Sequence, residues 1–233
     1  LSDQLNLNSI NRNANFSKIN NLGSVIITAR SHWSFTSQKY FEDCLQDNFF
    51  LIEKIISRKP KLICYVSSID VYQKIFPCKK LDNYALYPIF KLASENLIIN
   101  SGIPYIILRP GLLIDNLNIN NNSSSLINII LNKKIDSLSL SANSSFYPVT
   151  YEYFLKVLNY CLNNKITGIV DVVTKNKISL DQVSKIFKRK PIYGKYAYFS
   201  YSKNKIKSWK MDSGLNITSE DAINMISNNL FNN

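Results

Sequence analysis

The chain has 233 residues, 45% of them hydrophobic, enough for one large domain or a domain with a smaller lobe. Its 28 Lys and Arg against 16 Asp and Glu give a formal net charge of +12, which favours anionic partners, although the lysines are scattered and only Lys188-Arg189-Lys190 forms a tight basic run in a chain rich throughout in Asn, Lys and Ile. Cys44, Cys64, Cys78 and Cys161 have no C-x-x-C spacing, His32 is the one histidine, and there is neither a membrane-length apolar run nor a signal pattern, so a metal site, a disulfide framework and a membrane partner are set aside and a cytoplasmic, reducing setting is expected.

In chain order, residues 1–22 are polar and Asn-rich and start with Leu1 rather than Met, as a fragment or processed chain would. Ser24 to Arg30 opens as a short apolar run of strand type. Residues 37–58 read as a packing helix with Phe41, Leu45, Phe49, Ile52 and Ile56 on one face, ended by Arg58-Lys59-Pro60. Leu62 to Ser67 reads as a buried strand, Asn83 to Asn100 as a helix, and Tyr105 to Leu108 as a strand ending in Arg109-Pro110-Gly111. A loop over 115–125 and a helix near 126–134 follow. Phe146 to Thr150 then leads into an amphipathic helix reaching about Asn163. Gly168 to Val173 is strand-like and is expected to return to the main sheet, and 178–188 is a helix opened by Ser179 and Asp181. Ile217 to Asn228 closes the chain as a helix capped by Thr218 or Ser219, with Glu220 and Asp221 in its first turn. Strands and helices alternate over lengths that suit parallel crossovers, so an α/β fold is expected.

Two stretches carry chemistry. Cys64-Tyr65-Val66-Ser67-Ser68-Ile69-Asp70-Val71-Tyr72 is a strand running into a polar tip, and Tyr87 and Lys91 stand four apart, on one face of the following helix. A free Tyr phenol, with a pKa of about 10, is a poor base near neutrality unless a nearby cation favours the phenolate. Lys91 can supply that cation, and a hydroxyl at the strand tip, Ser68, can hold a substrate oxygen while Tyr87 gives or takes its proton. With 14 Tyr in a Lys-rich chain about one such pair arises by accident, and a second exists at Tyr201 and Lys205. Only Tyr87 has an apolar strand ending in Ser-Ser before it and Leu-Ala-Ser-Glu after it. The structural alternative for this pair is an amphipathic helix with a snorkelling Lys.

The blocks YVSSIDVY, YPIFKLASE and GIPYIILRPG, in that order, resemble three consecutive blocks of the extended short-chain dehydrogenase/reductase family, the NAD-dependent epimerase/dehydratase group. The resemblance implies an incomplete Rossmann-like parallel sheet, its first strands missing, with a small C-terminal α+β substrate lobe. Residues 1–115, with 165–175 returning to the sheet, would form the dinucleotide-binding part, and 116–233 the lobe. It also implies Tyr87 as acid/base, Lys91 on the nicotinamide ribose, and Ser68 on the substrate hydroxyl. Thr28, Ala29 and Arg30 would lie near an NAD or NADP cofactor, as would Ser67 and Pro110, with Asp3 a remnant of the adenine loop. Arg109 and Arg189 would contact a nucleotide-sugar substrate, and a homodimer through helices is a family habit. Where the family usually places an Asn and a Gly-Thr the chain has Cys44 and Asp47-Asn48, and where it often has an Asn after the Arg the chain has Leu112 or Leu113.

None of the six glycines forms a G-x-G-x-x-G or G-x-x-G-x-x-G turn. The resemblance therefore leads to two expectations. As part of a longer protein, the chain would belong to an NAD(P)-dependent epimerase, dehydratase or reductase of a nucleotide-activated sugar. As a whole protein, it would be a non-catalytic binding protein derived from that family. A third reading, a basic nucleic-acid-binding module, rests on charge and on the aromatic and basic residues between Lys188 and Lys210, and is not favoured.

Overall fold

The computed structural model describes residues 23–28, 38–72, 83–114, 137–200 and 217–231. Asp3, Ala29, Arg30, His32, Cys78, the 115–125 loop, the 126–134 helix and the Tyr201/Lys205 pair lie outside them. Four strands form a parallel α/β sheet: β1 (Ser24–Ile27), β2 (Leu62–Val66), β3 (Tyr105–Pro110) and β7 (Gly168–Val172), in that order across it. β1 and β2 run in parallel register, Ser24 beside Leu62 and Ile27 beside Tyr65. The central strands are apolar nearly throughout, because a parallel strand covered on both faces has no solvent side to alternate with.

The residues cluster into two compact units. The first holds β1, β2, the start of β3 and three helices: α1 (Gln38–Leu45), α2 (Leu51–Ile56) and α3 (Asn83–Asn100). Its buried apolar side chains include Ile52, Ile55, Ile63, Cys64, Tyr65, Ile98, Ile106 and Ile107. The expected 37–58 helix is real but its buried face is not the expected one. Cys44, Asp47, Asn48, Ile52 and Ile55 are buried, whereas Phe41 is 45% exposed and Leu45, Phe49 and Ile56 are only half-buried. Between α1 and α2 the chain makes a π-helical turn (Gln46–Phe50), whose extra residue per turn shifts the inward stripe and brings two polar residues to the inside. Phe41 still meets α3, its ring edge-on to Phe90 at 5.5 Å.

The second unit holds a 3-10 turn (Ile69–Tyr72), the end of β3, and everything described after it. β4 (Leu112–Ile114) pairs in parallel with β6 (Pro148–Thr150), and β5 (Ser145–Phe146) pairs antiparallel with β8 (Ile178–Ser179). Three helices complete it: α4 (Tyr151–Asn163), α5 (Leu180–Ile186) and α6 (Ser219–Phe231). Ile114, Leu138, Phe146, Ile178, Leu180, Val183, Phe187, Ile223 and Ile226 make its main core. The helix ends follow from their caps. Thr150 Oγ1 accepts from the Tyr153 N–H, and Ser179 and Gln182 form a reciprocal capping box, so the segment expected as a helix from 178 begins at Leu180 after a two-residue strand. At α6 the cap is Thr218: its hydroxyl accepts from the Asp221 N–H at 3.1 Å while the Asp221 carboxylate accepts from the Thr218 N–H and hydroxyl.

Gly111, between β3 and β4, is required by close approach. Its N–H donates to the Val172 carbonyl and the next N–H donates to the Tyr147 carbonyl, which brings the Tyr147 oxygen to 2.2 Å from where a Cβ would stand. A backbone oxygen cannot rotate aside as a side chain would. Gly111→Ala is therefore expected to destabilise the protein by about 3 kcal/mol or more, read from the urea midpoint; a change under about 1 kcal/mol would count against this packing.

The Thr218 hydroxyl, and after it the Thr218 N–H, hold the Asp221 carboxyl below its ordinary range. A depressed folded pKa means stability that is present above the unfolded value of about 3.9 and is lost as pH falls through the folded one. The melting-temperature gap between wild type and Asp221→Ala should accordingly be open at neutral pH and narrow steadily below about pH 4. A gap independent of pH would remove this account of the cap.

Candidate active site

In the first unit the site is built on α3, where Tyr87, Lys91, Ser94, Glu95 and Ile98 recur at three- and four-residue spacing and so share one face. That face lies on β2, and it is polar where a packing helix would ordinarily present leucines. Lys91 is 3% exposed. Its ammonium donates to the Val66 carbonyl at 3.1 Å, and its Nζ lies 4.8 Å from the Tyr65 ring centroid and 5.8 Å from that of Tyr87. A carbonyl and two ring faces are the contacts that let a cation leave water. One turn on, the buried Glu95 carboxylate accepts from the Ser67 hydroxyl. Two residues of α3 thus grip two successive residues, Val66 and Ser67, at the carboxyl end of β2.

The same group extends to the π-helical turn. Asn48 donates to the Cys44 carbonyl, accepts from the Tyr65 phenol at 3.3 Å, and through its own carbonyl accepts from the Ser94 hydroxyl, which also reaches the Phe90 carbonyl. Burial pushes the Tyr65 phenol well above its ordinary value, outweighing the lowering effect of the Ser94 hydroxyl.

In the second unit Ser68, the next residue along the chain, immediately precedes the 3-10 turn. Its Oγ accepts from the Asp70 N–H at 3.1 Å, and its carbonyl accepts from the Val71 N–H. The Asp70 carboxylate accepts from the Tyr198 hydroxyl. Tyr72 donates to Asp171 at 3.0 Å, and the Arg109 guanidinium lies 4.7 Å over its ring. Burial first, and then the Asp171 charge, push Tyr72 up to about 12. Arg109 and Asp171 are themselves buried.

Among the residues expected from sequence, Tyr87 and Lys91 come together, and Ser67 joins them through β2. Thr28 stands exposed just past β1. Ser68 lies just before the turn, Arg109 sits against Tyr72, Pro110 is buried at the end of β3, and Arg189 is half-buried after α5, its N–H donating to the Ser184 carbonyl. Glu95, Asn48, Asp171 and Tyr198 were not singled out. Glu95 could have been, since it stands four residues after Lys91 on the same face. Glu95→Ala should cost about 2 kcal/mol by leaving the buried Ser67 hydroxyl unmatched, and Glu95→Gln should cost less because its amide oxygen still accepts. Urea denaturation of the two variants checks this, and equal losses would contradict it.

No protein-family model and no curated protein matches this sequence. Solved structures match it in fold. UDP-glucuronic acid 4-epimerase from Bacillus cereus, in complex with UDP-glucuronic acid and NAD, aligns with a TM-score of 0.71 over 99% of this chain and 85% of its own, at 15% identity. UDP-N-acetylglucosamine 4-epimerase from Methanobrevibacter ruminantium M1, in complex with UDP-N-acetylmuramic acid, gives 0.67 over 95% and 81%, at 13% identity. The dTDP-4-dehydrorhamnose reductase of Bacillus anthracis, in complex with NADP, gives 0.67 over 88% and 79%, at 14% identity. The chain has the fold of the extended short-chain dehydrogenase/reductases, the group that its three sequence blocks resemble.

Proposed function

We propose that this chain acts on a nucleotide-activated sugar with NAD or NADP, as an epimerase, dehydratase or reductase. The observation that carries the reading is the buried Lys91 ammonium, one helical turn after Tyr87 and 5.8 Å from its ring centroid, at the tip of the strand that continues into Ser67 and Ser68. In this reading Tyr87 is the acid/base at the sugar oxygen, Lys91 favours its phenolate and holds the nicotinamide ribose, and Ser68 orients the substrate hydroxyl. Among the described residues, Thr28, Ser67 and Pro110 serve the cofactor in this reading, and Arg109 and Arg189 serve the substrate. Residues 1–115 with 165–175 take the dinucleotide, and 116–233 take the sugar nucleotide.

The residues at this edge suit the ribose and nicotinamide half of a dinucleotide. Thr28 and Ser67 offer hydroxyls at the carboxyl ends of two adjacent parallel strands, and Lys91 adds a cation there, at the edge where open α/β sheets take their ligands. Hydride acceptance and return at a sugar carbon is the chemistry that a bound nicotinamide would supply. This chain's own residues hold the sugar oxygen and move its proton.

The test is to measure NAD and NADP binding to the 233-residue chain, then follow product formation from UDP-glucose, UDP-N-acetylglucosamine and UDP-glucuronic acid. Tyr87→Phe should lower kcat by about 10²–10⁴-fold with dinucleotide binding kept, while Lys91→Met should weaken both. A chain that binds neither dinucleotide and converts none of these sugars, or a Tyr87→Phe variant with unchanged kcat, would overturn the reading.

A further inference from the structure

We propose that Tyr198 is a positioning residue for Ser68, acting through Asp70. This rests on the role given to Ser68 above. All three residues belong to the second unit, and two hydrogen bonds join them: the Tyr198 hydroxyl donates to the Asp70 carboxylate, and the Asp70 N–H donates to Ser68 Oγ.

Tyr198 is itself firmly placed. Its ring stacks on Phe146 with centroids 5.3 Å apart and planes 17° from parallel. Its N–H donates to Ser144 Oγ at 3.1 Å, and its carbonyl accepts from the Ser145 N–H at 2.8 Å. The Ser200 hydroxyl donates to the Tyr198 phenol oxygen at 3.4 Å. A ring fixed on its face and at both backbone groups can aim its hydroxyl at one point.

The consequence at Ser68 follows from the hydroxyl's inventory of one proton and two lone pairs. With a lone pair taken by the Asp70 N–H, the Ser68 proton points away from the backbone and is disposed to be donated to an incoming oxygen. The Asp70 carboxylate is an acceptor only two residues from that proton, at the spacing where such side chains form local turns. Left to rotate, it would compete with substrate for the Ser68 proton and turn the Ser68 side chain toward itself, drawing Oγ off the Asp70 N–H. The Tyr198 hydroxyl holds it in another direction. Ser68 is thereby kept as a donor to substrate, by a residue 128 positions away from the carboxylate it holds.

Amide exchange at Asp70, followed by NMR on the full chain, reads this directly, because the Asp70 N–H is protected by Ser68 Oγ. Ser68→Ala should speed exchange at that amide about tenfold. Tyr198→Phe keeps the ring stack and removes only the hydroxyl, and it should speed the same amide to a similar extent while leaving Ile107, in β3, unchanged. Asp70→Asn retains an acceptor for Tyr198 and should keep most of the protection. Unchanged Asp70 exchange in Tyr198→Phe, unchanged exchange in Ser68→Ala, or equal acceleration at Ile107 would each overturn the proposal. If the exchange pattern holds but Tyr87→Phe leaves turnover of the sugar probes intact, the enzymatic reading fails and the Tyr198–Asp70–Ser68 chain stands.

Discussion

A buried ammonium sets the terms for the first unit. Removing a lysine from water costs several kcal/mol unless the charge is matched, and Lys91 is nearly fully enclosed. What surrounds it is what such a charge requires: the Val66 carbonyl and the faces of Tyr65 and Tyr87. These contacts also fix how α3 lies on β2. An apolar helix face can slide by a turn and still bury leucines, but this one would then lose a charged hydrogen bond and a buried carboxylate's partner together. The polar face therefore supplies register, at a place where apolar packing would give stability alone.

The demand reaches back to the π-helical turn. Asn48 bonds its own helix at Cys44, the Tyr65 phenol on β2, and Ser94 on α3. A regular helix reading through residues 37–58 points different side chains inward, and it is the wider turn at Gln46–Phe50 that brings Asp47 and Asn48 to the inside. Tyr65, whose ring lies under the ammonium, is thereby tied at its hydroxyl end. The departure of this stretch from the Asn and Gly-Thr expected of the family is thus accompanied by an Asn of its own, one that serves the β2–α3 contact.

What could be read in the sequence divides by distance along the chain. Tyr87, Lys91 and the apolar β2 are local patterns of four or five residues, and all three were legible. So were the Ser179 and Thr218 caps, because a capping residue and its partner lie three apart. The Tyr72–Asp171 and Tyr198–Asp70 bonds join residues 99 and 128 apart, and no periodicity announces them. Nor does anything in Gln-Asp-Asn-Phe-Phe mark a π-helical turn. The helix end at Asn163 was legible as well, although Lys59, Lys165 and Lys188 take left-handed backbone angles where a stop would ordinarily show a Gly or Asn.

The tyrosines with raised pKa values show that position rather than residue type decides how readily a phenol ionises. Tyr72 and Tyr153 are each pushed up to about 12, and Tyr65 and Tyr147 are raised as well, with burial the first cause in every case. Such phenols stay protonated across the working range and act as fixed donors, as Tyr72 does to Asp171 and Tyr153 to the Val173 carbonyl. Tyr65 is the instructive one, because the Lys91 ammonium lies closer to its ring, at 4.8 Å, than to that of Tyr87, at 5.8 Å. A nearby cation is therefore not enough, since full desolvation of the phenolate outweighs it. Tyr87 shares that cation yet remains partly exposed, so water and an incoming ligand can reach it. Of the two rings that flank one ammonium, the proposed proton transfer falls to the partly exposed one, Tyr87, because the enclosed Tyr65 phenol is closed to a ligand.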